Sequence, residues 1–380
     1  MIPRDRALTL RHELHLHPEL SGQEQETAQR MAKRLRELGA SVQEQLGGWG
    51  VLGVFDSQQP GPSILLRAEL DALPIPETIR LPHGSKQPGV AHKCGHDGHM
   101  AILDGVAARL AEQSIARGRV GLLFQPAEES GAGAAAVLAD PAWQFEFDAA
   151  YALHNLPGVR AGDVLCRAGT AALASRGLEV SWQGREAHAA HPDEGLSPMQ
   201  AWMATTLAWS ERATHPARFE HERMTVVHAG VGHESAFGTA PGLARLQATL
   251  RAGIEAELDQ LQQELESLVV QQEGLRVQSR VCDPFPECRN HPEAVARVER
   301  AARAAGLEFI EPATPFPWSE DFGHFLRLAP GALIGLGAGL EQPPLHDPAY
   351  DFPDAILPLG IEVFAQLIDS HLRTDAHAKA

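Results

Sequence analysis

"SILLRAELD", residues 63–71, is a short apolar run that stops abruptly on acids. Two more runs have the same shape: "RVGLLFQPAEES" (119–130) and "FDAAYALHN" (147–155). The first two are separated by "GHMAILDGVAARLAEQ" (98–113), whose apolar positions recur at helical spacing. Strands that are apolar along their whole length, alternating with amphipathic helices, specify an α/β fold: a mostly parallel sheet covered by helices on both faces. Ligands in such sheets gather beyond the carboxyl ends of the strands. The polar residues that end these runs are therefore expected to share one crevice.

The pattern extends in both directions. "SGQEQETAQRMAKRLRELGA" (21–40) reads as a helix with Ser21 as N-cap, Glu24 completing a capping box and Gly39 closing the end. Near residue 170 the texture changes. "RGLEVSWQG" reads as a strand, "SPMQAWMATTLAWSERAT" as a helix, "RMTVVHAGV" and "LARLQATLRA" as strands, "IEAELDQLQQELESLVVQQ" as a helix and "LRVQSRV" as a strand. That order, βαββαβ, is a split sandwich inserted into the first domain. "CDPFPECRNHP" (282–292) reads as the return linker, followed by a helix "PEAVARVERAARAAG" and an apolar strand "GALIGLG". The expected division is residues 1–169 and 283–380 for the main domain and 170–282 for the insert.

Two domains are what 380 residues predict, and 44% hydrophobic with 21% charged residues is an ordinary globular composition. A formal charge of −17 argues against nucleic acid or an anionic membrane as partner, since both need a positive footprint. The N-terminus lacks the apolar core of a secretory signal, and no apolar run approaches the ~20 residues of a membrane span. Four scattered cysteines do not make a disulfide framework, so a reducing cytoplasm is the expected compartment.

Chemistry concentrates in "VAHKCGHDGHM" (90–100). Cys94 and His96 stand two apart between glycines, so on a loop both side chains can face one way. Thiolate and imidazole together suit zinc and its neighbours. Three readings stay open on these residues alone: a metal site, a cysteine nucleophile with a histidine base, and a polar turn. "QPAEES" adds Glu128 and Glu129 after a strand, a pair that suits one metal ligand beside one general base. His154 and His346 each follow a strand-like run.

Taken in series, "HLHPELSGQEQETA", "RAELDALP", "GVAHKCGHDGH", "FQPAEES", "ALHNLPG", "GREAHAAHP", "SEDF" and "LHDPAYDF" resemble the aminoacylase and carboxypeptidase family of binuclear metallohydrolases. Within it they are most similar to the branch of hippurate, N-acyl-amino-acid and indoleacetyl-amino-acid amidohydrolases. The resemblance runs from about residue 10 to about residue 360, with the motifs in matching order. It implies two divalent metal ions (zinc, manganese, cobalt or nickel) on Cys94, His96, Glu129, His154 and His346, with Glu128 as general base. It implies Asp71 as the carboxylate that orients a ligating histidine. The insert would be a lid and dimerisation domain, making a homodimer or dimer-based oligomer in which His188 donates to the developing oxyanion, supplied across the dimer. Arg251 would meet a substrate carboxylate, and the substrate would be a small amide. His92, His99 and the trio His12, His15 and His17 are read as structural. Two positions depart from the pattern: Glu69 stands where the branch has Asp, and Gly238 where it has Asn.

Overall fold

The computed structural model describes residues 3–233 and 237–372. The chain divides into two compact units, one holding residues up to 171, 288–315 and from 321 onward, the other 172–287 and 316–320. In the first, eight strands form one sheet in the order Ser41–Leu46, Gly50–Asp56, Arg119–Gln125, Ser63–Glu69, Ala149–Pro157, Gly331–Gly339, Val164–Leu165 and Phe309–Ile310. Its four central strands, Arg119–Gln125 to Gly331–Gly339, run parallel, while Gly50–Asp56 pairs antiparallel at one flank. The parallel centre is buried on both faces: Ile64, Leu65, Leu66, Leu122, Leu123 and Phe124 have no exposure. Each such side chain contributes about 1.5–3 kcal/mol by leaving water.

Helices cover this sheet. Pro3–Leu16 and Leu357–Leu372 pack on His96–Glu112, the helix that continues directly from the cysteine–histidine loop. The segment Asp354–Leu372 is long and apolar enough to cross a membrane by length and composition alone, which corrects the reading that no run approaches that size. It is apolar for another reason: Ile361, Phe364, Leu367 and Ile368 are buried in the core of this unit.

The second unit is a four-stranded antiparallel sheet in the order Arg223–Val231, Leu243–Ala252, Ala174–Gln183, Arg276–Phe285, with helices Met199–Thr214 and Glu255–Ser267. Along the chain that is βαββαβ. Its core is built on Trp182 and Trp209, whose indole N–H groups donate to the carbonyls of Val270 (3.1 Å) and Leu265 (3.0 Å).

Two local expectations are corrected. The helix read over 21–40 starts at Gln25, and Ser21 does not cap it. Its first amides are taken by Glu19, from Thr27 N (2.7 Å) and Glu26 N (3.1 Å), and Ser21 is drawn instead to Asp71 (2.7 Å). Gly39 does close the helix, at φ +86°, with Ala40 N reaching back to Leu35 O. The return linker is largely strand, since Arg276–Phe285 continues past Cys282 and Cys288–Asn290 forms another.

A buried ionic network fixes the first helix to the cysteine–histidine loop. His15 is enclosed, its Nδ1 2.8 Å from Asp97 and its Nε2 2.8 Å from Glu77. Arg11 reaches Asp351 (2.6 Å) and Asp354 (2.8 Å), and Lys93 reaches Glu77 (2.6 Å). Burial disfavours a charge on His15, but Asp97 and then Glu77 outweigh it and raise its pKa to about 9. The charged ring therefore adds stability that is complete below its ordinary 6.5 and is lost as pH rises through about 9. Urea midpoints measured from pH 6 upward should fall across that window, and His15→Gln should flatten the fall. Equal slopes in parent and variant would show that His15 does not titrate there.

Candidate metal centre

The carboxyl ends of the central strands deliver the candidate residues to one place. Cys94 lies just before the helix His96–Glu112, and His96 is its first residue, so the pair straddles a helix start. Gly95 makes that geometry, at φ +93°, and a Cβ on it would come within 2.2 Å of Asn155 Oδ1. Gly98 lets the helix pass Phe352, whose ring would lie 2.3 Å from an added Cβ.

His154 leaves the strand Ala149–Pro157 with Nε2 3.5 Å from Cys94 Sγ. Glu128 and Glu129 leave the strand Arg119–Gln125, placing Oε2 and Oε1 4.0 and 3.9 Å from His96 Nε2. His346 holds a left-handed backbone, φ +66°, pinned by its N–H to the carbonyl of Lys93 (2.8 Å), and its Nε2 stands 3.6 Å from Glu129 Oε1. Donor atoms of Cys94, His96 and His154 lie within 4.8 Å of one another. The same holds for Cys94, Glu129 and His346, and for His96, Glu128 and Glu129. All six residues thus belong to one cluster.

Asp71 joins the pieces. Its carbonyl oxygen accepts from His96 Nδ1 at 2.8 Å, while its carboxylate stands farther from that nitrogen, at 3.5 Å. The carboxylate accepts the Glu129 N–H (3.0 Å) and the Ser21 hydroxyl (2.7 Å). The histidine's orientation comes from main chain as well as side chain. His96 Nδ1–H is thereby committed, leaving Nε2 to face the cluster.

The cluster's own electrostatics ask for a cation. His96 Nε2, Glu129 Oε1 and Asp71 Oδ1 are buried with no hydrogen-bond partner, a costly arrangement unless something else satisfies them. Burial, then Glu129 and Glu128, push the Cys94 thiol well up. Burial opposes charge on His96, yet Glu69, Asp71 and Glu129 raise its pKa to about 10. Burial and His99 lower His154 to about 3. A divalent ion among these atoms reverses the first two tendencies, deprotonating the Cys94 thiol and the His96 ring, and acts in the same direction as the third, since His154 is already neutral. A nucleophilic cysteine needs the opposite environment, one that lowers its pKa. The donor set fits metal.

Further polar groups lie behind the cluster. His99 Nδ1 meets Glu69 (2.6 Å) and its Nε2 meets Asn155 Oδ1 (2.7 Å). Glu69 pairs with Arg67, and Arg67 reaches Asp321 (2.6 Å). This buried chain, like the one around His15 and Asp97, was not legible as function. Its signal was the alternating Arg67 and Glu69 inside an otherwise apolar strand.

His188 and Arg251 belong to the second unit, not to the cluster. His188 is exposed on a short ladder with Thr239, its Nδ1 accepting from Ala190 N (3.0 Å). Arg251 ends the strand Leu243–Ala252 half-buried, donating to Ser319 Oγ (2.8 Å), and burial lowers its pKa. Gly238 faces open space, so the departure there leaves room rather than relieving a clash.

Comparison with known proteins follows the same lines. The chain is 33% identical to the N-acetyl-L-cysteine deacetylase of Bacillus subtilis over 92% of its length and 84% of that protein's. It is 31% identical to the hippurate hydrolase of Campylobacter jejuni, covering 96% of each. A Bacillus subtilis structure described as a dinuclear metal-binding peptidase of the M20 family superposes with a TM-score of 0.79 at 25% identity, covering 97% of this chain and 98% of that one. The family description "Peptidase family M20/M25/M40" matches residues 65–370. The chain belongs to this family.

Proposed function

We propose that the protein is a metal-dependent amidohydrolase that cleaves the amide bond of an N-acyl amino acid or a similar small amide. The observation that carries this is Glu128 set beside Glu129 within one cluster of thiol, imidazole and carboxylate donors. Cys94, His96, Glu129, His154 and His346 would hold two divalent ions, the thiolate favouring zinc over manganese, cobalt or nickel. Bound there, such ions supply Lewis acidity to the scissile carbonyl and make a water nucleophilic near neutral pH. Glu128 takes the proton of the attacking water and returns it to the leaving amine. Asp71 holds His96 and the Glu129 amide in register.

The test is metal-by-metal reconstitution assayed on acyl-amino acids, dipeptides and carbamoyl compounds, a panel that also separates a peptidase from an acylase. Glu128→Gln should keep its metal and lose about 10²–10⁴-fold in turnover. Cys94→Ser should lose metal. A Glu128→Gln protein at parental rate, or a Cys94→Ser protein with full metal content, would overturn the corresponding role.

We assign Arg251 to the substrate's carboxylate, because a guanidinium partly shielded from water, with only a neutral hydroxyl as partner among the described bonds, gains from an anion. An acyl-amino acid should therefore show a higher kcat/KM than its amide-capped form, by about 10-fold or more. Equal values would remove the carboxylate from recognition.

We further propose a homodimer through the second unit, with His188 serving the partner's site as donor to the oxyanion. The supporting observations are the exposed His188 and the strand Arg223–Val231, which carries exposed Val227 and, among the described residues, stands at an edge of the sheet. Mixing inert His188→Ala and Glu128→Gln proteins under subunit exchange should restore part of the activity. Demonstrated exchange without recovery would reject the assignment. A reducing cytoplasm fits four free cysteines, one of them a proposed ligand, and cell fractionation checks it.

A further inference from the structure

The stretch "ELSGQE" (19–24) uses three side chains on three different targets. Glu19 takes the first amides of the following helix, and Ser21 takes Asp71. Glu24 is fully buried, and its Oε1 accepts the N–H of Ala127 at 2.7 Å. Ala127 precedes Glu128 and has a left-handed backbone, φ +53°, which a residue with a Cβ seldom adopts unless its surroundings impose it.

The loop around it is tight. The Ala127 carbonyl accepts from Gly133 N (3.1 Å) and from Ser130 Oγ (3.1 Å), and a Cβ on Gly133 would collide with the Pro126 carbonyl at 1.7 Å. On the far side of Glu128, the Glu129 N–H is held by Asp71 (3.0 Å). The N–H groups of Ala127 and Glu129, the residues before and after Glu128, are therefore each held by a buried acidic side chain from a different part of the chain. Removing Glu24 frees the turn that sets the direction in which Glu128 projects, while Cys94, His96, His154 and His346 keep their own supports.

We infer that Glu24 is a positioning residue for Glu128, acting by accepting the Ala127 N–H and so fixing the left-handed turn before the base. The inference rests on the reading of Glu128 as base. It makes a distinction that charge alone would not: a neutral acceptor of the same length should serve, and a shorter carboxylate should not.

The experiment compares Glu24→Gln, Glu24→Asp and Glu24→Ala in the full chain. Two measurements are made: kcat and KM of the metal-reconstituted enzymes, and amide hydrogen exchange over residues 126–131 in the metal-free proteins. Glu24→Gln should keep kcat within about threefold and leave exchange unchanged. Glu24→Asp and Glu24→Ala should lose about 10–100-fold in kcat at near-constant KM and metal content, with faster exchange at Ala127, because a small misplacement of a catalytic group costs on that order. Should Glu24→Ala not fold, the Gln and Asp variants decide. Glu24→Gln as impaired as Glu24→Asp, parental kcat in all variants, or unchanged exchange in Glu24→Asp would each overturn the inference. Glu128→Gln is the reference. If it stays active, the base reading fails, and the exchange measurement still judges the clamp. If it is inert while every Glu24 variant is fully active, only the clamp fails.

Discussion

Asp71 is the point on which the centre depends. One residue at the end of a central strand meets three separate stretches of chain: the helix start at His96, the acidic loop at Glu129 and the N-terminal segment at Ser21. One carboxylate oxygen takes both the Glu129 N–H and the Ser21 hydroxyl, while the main-chain carbonyl takes His96 Nδ1, so a single residue aligns two proposed ligands. The strand Ser63–Glu69 is buried along its whole length, so Asp71 has a rigid base. The arrangement turns the packing of a parallel sheet into the placement of individual donor atoms.

Around that point the protein buries an unusual set of charges. Arg67, Glu69, Asp97, His15 and Arg11 all lie out of contact with water, each beside an opposite charge. Such pairs add little net stability compared with apolar side chains, because desolvation offsets attraction. Their effect is geometric. Breaking one leaves a lone charge in the interior, so each partner holds the other in place.

Much of this was legible in the sequence. The apolar runs ending in acids and histidine gave the central strands, because a strand covered on both faces has no reason to alternate. The insert's βαββαβ order followed from period-two and period-3.6 patterns with clear turns between them. The candidate ligands stood out only because reactive residue types cluster at strand ends, and the choice between metal and nucleophile needed the burial of Cys94. Ser21 and Glu24 were misread for a physical reason. A serine and a glutamate three apart before a helix fit a capping box, yet a long-range carboxylate and a long-range amide competed for both side chains and won. The network of His15 and Asp97 was out of reach because its members are far apart in the chain.

The parallel pairing of Ala149–Pro157 with Gly331–Gly339 has a consequence for how the protein is made. Between those strands the ribosome must synthesise the whole insert, whose own sheet uses only residues 174–285. The insert's sheet is complete in the nascent chain while the central sheet still lacks two strands, Phe309–Ile310 and Gly331–Gly339, leaving the Ala149–Pro157 edge open until residue 339 emerges. Closing that gap joins residues far apart in sequence, which is the slow kind of step in folding. His346 follows only seven residues after that strand ends. The growing chain therefore acquires four of the proposed ligands, Cys94, His96, Glu129 and His154, before the last central strand and the fifth, His346, after it, with the core helix Leu357–Leu372 still to be added.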